Sequence, residues 1–319
     1  MTWRWHGFYG EKMQLTIGTR GSKLALTQSE WVKRQLEARY HDVRVIIKKI
    51  KTKGDKILDS PLSKIGGKGL FVKEIEAALL EEDVDVAVHS MKDVPAELPE
   101  GLELALFPER EDPRDALVSN HYQSIDALPE GASIGTGSLR RSAQLLHIRP
   151  DLAIVPLRGN VDTRLNKLES GGLDAIILAS AGLKRLGLED KITQFLPVET
   201  LLPAIGQGAL GLELRQDDHR TKELLHFLNH KQTCLTVRAE RALLKELEGG
   251  CQVPIGGFGR LDGNNLILEG LVAELDGSRI IRDKARGPKD EPEELGVTLA
   301  KRLLASGAGE ILAKVYGKG

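Results

Sequence analysis

Short apolar runs alternate with amphipathic stretches through the first two thirds of the chain, and partway along the alternation starts over. Leu15–Ile17, Val43–Ile47, Val84–Val88 and Leu102–Leu106 have the length and apolar content of strands. Between them, Leu24, Val32, Leu36 and Tyr40 fall on one i, i+4 row, and Phe71, Ile75, Ala78 and Leu79 form a second helical stripe. The order β-α-β-α-β predicts a mixed or parallel sheet covered by helices. The second round has strands at Ser133–Gly135, Ile154–Leu157 and Ala175–Leu178, with helices at Ser138–Ile148, Val161–Leu168 and Ala181–Leu186. Local sequence repeats as well. Ile17-Gly-Thr-Arg-Gly-Ser22 resembles Ile134-Gly-Thr-Gly-Ser138, each at a strand end leading into a helix, and the run from Asp85 to Ser90 resembles the run from Asp174 to Ser180. Two lobes of related topology are expected.

The charged, proline-containing stretch Pro108–Pro113 marks the break between lobes, and Pro197–Gly208 marks a second crossing, after which Leu210–Leu214 returns to the first lobe. The C-terminal part opens on a long helix at Lys231–Glu248. Strand-like runs follow at Gly257–Leu261, Leu266–Val272 and Ser278–Ala285, then helices at Glu291–Ala305 and Glu310–Val315. The expected fold is α/β, with two lobes plus a small C-terminal α+β domain. Residues 1–13 form an N-terminal extension, 14–108 and 209–226 a discontinuous first lobe, 113–202 the second lobe, and 231–319 the last domain.

Composition narrows the function classes. Lysine and arginine nearly balance aspartate and glutamate at a net charge of −1, so no global field favours nucleic acid or membrane. Aromatics are only 4%, too few for a base-stacking surface. No apolar run approaches a membrane span, and residues 1–13 lack the pattern of a secretory signal. Cys234 and Cys251 are separated by a predicted helix, too far for a disulfide. No CxxC or HExxH motif calls for a protein-bound metal. A cytoplasmic, reducing setting and a monomer are expected.

Candidate site residues cluster where strands end. Thr19-Arg20-Gly21-Ser22 offers a helix N-cap, free backbone N–H groups and a guanidinium for an anion. Thr136-Gly137-Ser138-Leu139-Arg140-Arg141 offers the same geometry with two arginines, which point about 100° apart on a helix and so should not share one role. Arg158, Arg164 and Arg185 follow. Ligands bind beyond the carboxyl ends of strands in open α/β sheets, so converging arginines suit a substrate with several carboxylates. Solvated surface arginines are the plain alternative. The loop Ser60–Gly69 carries Lys64 and Lys68 among glycines and is not a Walker A loop, because Gly69 follows Lys68. His89-Ser90-Met91-Lys92-Asp93 puts a carboxylate beside a lysine at a strand end, suited to proton transfer or to stabilising a cation, or simply to an ion pair. Glu248-Gly-Gly-Cys-Gln-Val-Pro-Ile-Gly256 places Cys251 on a tight turn, as a nucleophile, an attachment point or a buried inert thiol.

Taken together these motifs resemble the hydroxymethylbilane synthase (porphobilinogen deaminase) family. The matching strings include IGTRGSKLALTQ at 17–28, KIGGKGLFVKEIE at 64–76, VDVAVHSMKDVP at 84–95 and EREDPRDALVS at 109–119. They continue with GTGSLRRSAQL at 135–145, LRGNVDTRL at 157–165, LPAIGQGALGLE at 202–213 and AERALLKELEGGCQVPIG at 239–256. The likeness covers about residues 14–316 and leaves only the N-terminal extension unmatched.

The resemblance implies two periplasmic-binding-protein-like lobes around a cleft, with a third domain carrying a dipyrromethane cofactor on Cys251 through a thioether. It implies a transferase of tetrapyrrole (heme) biosynthesis that deaminates four porphobilinogen molecules, joins them head to tail and releases a linear tetrapyrrole. Asp93 matches the catalytic carboxylate, which stabilises the cationic azafulvene formed on loss of ammonia. Lys92, Thr136, Ser138, Arg140, Arg141, Arg158 and Arg164 match cofactor-binding groups. Arg20, Ser22, Arg185 and Gln207 match substrate-binding groups, and Lys64 and Lys68 match a lid loop. Gly137 departs from members that carry serine there. Two readings compete: a non-catalytic two-lobed protein that binds a carboxylate-bearing ligand, and a polyanion binder that uses the arginines. The Cys251 turn argues against the first, and the balanced charge against the second.

Overall fold

The computed structural model describes residues 13–56, 69–247 and 253–317. Two five-stranded sheets and one three-stranded sheet organise them. The first sheet holds β1 (Met13–Arg20), β2 (Val43–Ile50), β3 (Val86–Ser90) and β4 (Leu102–Leu106), with α1 (Lys23–Arg39) and α2 (Lys73–Leu80) packed on it. The chain crosses to the second sheet over residues 107–114. There it forms β5 (Asp115–Val118), β6 (Ser133–Gly135), α3 (Leu139–Ile148), β7 (Ala153–Val155), α4 (Val161–Glu169), β8 (Ala175–Ala179), α5 (Ser180–Arg185) and β9 (Gln194–Leu196). It returns over residues 197–209 into β10 (Leu210–Arg215), followed by α6 (His219–Leu225) and α7 (Lys231–Glu246). The last sheet is an antiparallel meander of β11 (Ile255–Asp262), β12 (Asn265–Ala273) and β13 (Ile280–Pro288). Helices α8 (Pro292–Leu303) and α9 (Gly309–Tyr316) complete the chain.

The two large sheets have one plan. Their orders are β2-β1-β3-β10-β4 and β7-β6-β8-β5-β9. In each, three parallel strands meet a fourth, antiparallel strand that directly follows a crossing. The sequence echo has a structural counterpart. Asp85 accepts the Thr16 N–H at 2.6 Å, and Asp174 accepts the Ser133 N–H at 2.7 Å, so equivalent carboxylates brace equivalent strands.

Separate apolar cores sit under the sheets. Leu15, Ile17, Val32, Leu36 and Leu212 belong to the first, and Leu117, Ile134, Leu145 and Ile177 to the second. Leu243, Leu268 and Leu299 belong to the last. Two expected apolar rows need correction. On α1 the buried residues are Gln28, Ser29, Val32 and Leu36, whereas Leu24 lies at the cleft and Tyr40 is the extended C-cap. Phe71 precedes α2 instead of lying on it and stacks on Arg20, with the guanidinium carbon 4.2 Å from the ring centre. Leu24 and Phe71 leave their rows because the cleft takes apolar residues that a closed core would have buried, whereas Tyr40 still packs against the first core.

Candidate functional site

A cavity of about 750 Å³ opens between the two large sheets. Strand ends and helix starts of both lobes line it, which is where an open sheet leaves backbone groups unpaired. From the first lobe come Arg20, Ser22, Asp55, Phe71, Lys92 and Asp93; from the second come Arg141, Arg158, Asn160, Arg164 and Arg185. Its cations Arg20, Lys23, Lys51, Lys92, Arg141, Arg158, Arg164, Lys167 and Arg185 outnumber its carboxylates Asp55, Asp93 and Asp162. A smaller cavity of about 400 Å³ lies between the second crossing and the last sheet, lined by Val198, Phe258, Arg260 and Lys284. Its carboxylates are Glu199 and Glu269, the latter bonded to Arg282 at 2.6 Å, and none of the expected site residues lines it, whereas eight of them line the large cleft.

Arg20 is fixed from two sides. Its Nε and Nη2 donate to Asp55 Oδ1 at 3.1 and 2.5 Å, and Phe71 covers its face. The Arg20 guanidinium in turn holds the Asp55 carboxyl below its usual range against the opposing effect of burial. Arg20 Nη1 stands 3.9 Å from Asp93 Oδ2. Ser22 caps α1 by accepting the Ala25 N–H at 3.3 Å.

Asp93 ends a short 3-10 turn, Met91–Asp93, that continues β3. The turn is pinned where Met91 N–H donates to Ala209 O at 3.0 Å. The Asp93 side chain keeps 35% of its surface open, so it remains reachable. Lys92 is half-buried. Burial, then the nearby Arg141, pushes its ammonium down to about 8, while Asp93 and Asp115 pull the other way. Burial likewise lowers Arg164 and Arg185 to about 10. Arg164 donates to Gly159 O at 2.9 Å, and Arg185 to Gly208 O at 2.7 Å.

The two adjacent arginines do share a partner, contrary to the expectation from their 100° divergence. Arg140 Nη1 donates to Asp115 Oδ2 at 2.8 Å, and Arg141 Nη2 donates to Asp115 Oδ1 at 2.6 Å. Long side chains curl back to one carboxylate despite diverging Cβ directions. Asp115 is fully buried, and the two guanidinium groups hold it well below the ordinary carboxylate range. Gln207 Nε2 donates to the same carboxylate at 2.9 Å and to Pro113 O at 2.7 Å.

The expected site residues therefore divide. Arg20, Ser22, Lys92, Asp93, Arg141, Arg158, Arg164 and Arg185 come together around the cavity. Arg140, Thr136, Ser138 and Gln207 do not line it. Arg140 is 4% exposed and ties α3 to Asp115 and Leu202 O. Thr136 is buried and accepts the Ser138 N–H at 3.2 Å, and the Ser138 side chain caps nothing, unlike Ser22. Gly137 fits its place closely: a Cβ there would meet Leu157 O at 2.7 Å. Lys64, Lys68 and Cys251 lie outside the described residues. The sequence reading missed Asp55, Phe71, Asp115, Lys51 and Lys167. Asp115 had a usable signal, a carboxylate opening the apolar run Ala116-Leu117-Val118. Lys51 had one too, lying just past the end of β2 beside Lys48, Lys49 and Lys53, whereas Lys167, a single lysine on a polar helix face, had none.

Comparison with known proteins covers nearly the whole chain. Residues 15–223 match the family described as porphobilinogen deaminase, dipyromethane cofactor binding domain, and residues 234–305 match the porphobilinogen deaminase C-terminal domain. The chain is 58% identical over 302 residues to a porphobilinogen deaminase of Geotalea uraniireducens, which covers 95% of each protein. It is 59% identical over 303 residues to that of Geobacter metallireducens, again 95% of each. Among solved structures it is similar to a methionine binding protein, at 14% identity and a TM-score of 0.44, over 67% of this chain and 89% of the other.

Proposed function

The chain belongs to the porphobilinogen deaminase family, and from that premise we propose how its own residues divide the work. The reaction is hydroxymethylbilane synthesis: four porphobilinogen molecules lose ammonia, join head to tail and leave as a linear tetrapyrrole. The family's cofactor is a dipyrromethane. The cleft suits a group bearing several carboxylates. Arg158 Nη1 is buried there with no hydrogen-bond partner among the described residues, and Arg141 and Arg164 line the same cavity. Arg141, Arg158, Arg164 and Lys92 would hold the acid side chains of the cofactor, and Cys251 would anchor it. When bound, the dipyrromethane supplies the ring carbon on which the product chain is built.

The observation that carries the assignment of roles is the open Asp93 carboxylate at the mouth of a strand, inside a cleft lined with cations. Asp93 accepts the substrate's pyrrole N–H and offsets the positive charge left on that ring when the aminomethyl C–N bond breaks. The same carboxylate is placed to take up the ring proton once the new C–C bond forms. Arg20, fixed by Asp55 and Phe71, and Arg185 receive the substrate's acetate and propionate, charge-assisted contacts that orient the aminomethyl carbon. Ser22 presents its helix start to the same acids. Arg140, Gln207, Thr136 and Ser138 act in this scheme as supports of Arg141 and of the second crossing, not as direct contacts. Lys64 and Lys68 are assigned to a lid.

The same proposal divides the chain into a first lobe of residues 14–108 and 209–226, a second of 113–202, and a cofactor-bearing domain of 231–319. Among the described residues no helix is long and apolar enough to cross a membrane. A cytoplasmic monomer is the extension of this reading, checked by fractionation and light scattering.

The test is Asp93→Asn. The variant should fold and keep its cofactor mass on the peptide around Cys251, while turnover of porphobilinogen falls by about 10² or more. A loaded, folded variant with near-normal turnover would remove Asp93 from the chemistry.

A further inference from the structure

Beneath the Lys92–Asp93 turn lies a run of buried charged side chains that the scheme above does not use. His89 Nε2 and Glu213 Oε2 stand 2.7 Å apart, with both side chains closed to solvent. Glu76 reaches the same place from α2 at 5% exposure, and its Oε1 and Glu213 Oε1 have no hydrogen-bond partner among the described residues. Arg241, on α7, donates from Nη2 to Pro95 O at 2.9 Å and Ala96 O at 3.0 Å, and Glu213 steadies its charge against burial. A buried ionic group of this kind costs solvation that apolar residues of like volume would not, so stability alone does not explain it. Its reach is specific. His89 is four residues before Asp93 and Pro95 is two residues after it, so the run grips both flanks of the turn. Arg241 belongs to the helix that leads towards Cys251.

We propose that the buried Glu76, His89 and Glu213, together with the half-buried Arg241, form a charge chain that positions the Lys92–Asp93 turn against the cofactor-bearing domain. The inference rests on the reaction assigned above. Glu76 is its titrating member. Burial, then the facing Glu213 of β10, pushes it up to about 7, against the opposing pull of His89 on β3 and Lys73 on its own helix. A carboxyl raised on folding holds a proton that the unfolded chain releases above about 4.5. Its contribution to stability is therefore whole below that value and is lost as pH rises towards about 7.

Two measurements on the cofactor-loaded enzyme test this. The unfolding temperature of the wild type should fall between about pH 5 and pH 8, and Glu76→Gln should flatten that fall; equal slopes would overturn the titrating link. Glu213→Gln should lower kcat about tenfold or more, as expected for a displaced catalytic group, with KM for porphobilinogen and the cofactor mass unchanged. Arg241→Lys should act in the same direction, which covers the case in which Glu213→Gln does not fold. A loaded, folded variant of either residue with unchanged kcat would overturn the positioning role. If the wild type itself failed to turn over porphobilinogen, the assigned reaction would fall, while the unfolding comparison still decides the charge chain.

Discussion

Asp115 shows what a single carboxylate does when three donors converge on it. Arg140, Arg141 and Gln207 all bond to it, so removing it strands two buried guanidinium groups at once. Asp115→Ala should destabilise the protein by about 3–5 kcal/mol, read as a lowered urea midpoint, whereas a loss below about 1 kcal/mol would mean that the arginines find other partners. Lys92 carries a different prediction. Because its ammonium is pushed down to about 8, its charge fades as pH rises through that value. Its hold on the cofactor's acid side chains should weaken accordingly, with loading of the cofactor onto apo-protein falling above about pH 8. Lys92→Arg should move that fall out of range, since a guanidinium keeps its proton; an unmoved limb would exclude Lys92. At this scale the motifs made Arg20, Asp93 and the second-lobe arginines legible. Which arginine faces the cleft was not legible, because neighbouring guanidinium groups swing by several ångströms at fixed backbone. Asp55 and Phe71 were invisible for a related reason: they act on Arg20 across 35 and 51 positions of sequence.

At the level of elements, the two repeated strand-to-helix corners differ in how they are finished. Ser22 closes α1 with a side-chain cap, and Asn160 closes α4 the same way, accepting the Thr163 N–H at 2.8 Å. Ser138 at the start of α3 makes no such bond. Ser22→Ala should cost about 1 kcal/mol and Ser138→Ala much less, a comparison that paired thermal melts resolve; equal costs would contradict the difference in capping. Most elements could be read from sequence because their apolar period is undisturbed, as in β4; β6, only three residues long, was marked instead by its echo of the β1 corner, and the expected bounds of both match those observed. β5 and β9 were missed. Each is short, and β5 is buried on both faces, so neither displays the alternation that marks a strand with one wet side. The second crossing was found through its prolines and glycines. Gly208 is needed there for its φ of +87° and for close approach to the Glu111 carbonyl.

For the molecule as a whole, charge is local. The chain is nearly neutral, yet its cleft is cationic, so a substrate bearing two carboxylates is drawn to one place. kcat/KM should fall as ionic strength rises while kcat holds, because screening acts on encounter; a flat salt profile would show that encounter does not depend on this field. Three parts of the chain are tied at one buried carboxylate. Glu240 of α7 accepts from Arg110 at 2.6 Å, from Gly206 N–H at 2.7 Å and from Gly259 N–H at 2.8 Å, which joins both crossings to the last sheet. None of this was legible, since it depends on residues 19, 34 and 130 positions from Glu240 meeting at it. The return of Leu210–Arg215 to the first sheet was anticipated, and it has a consequence in time. β10 lies inside that sheet, between β3 and β4, and among the described residues β4 pairs with no other strand. During synthesis at about 5–20 residues per second, the first lobe must wait on the order of ten seconds for its own centre. The carboxylate that meets His89 and the carbonyl that pins Met91 arrive together at the end of that wait. The ribosome therefore finishes the second lobe before the first can have an active site at all.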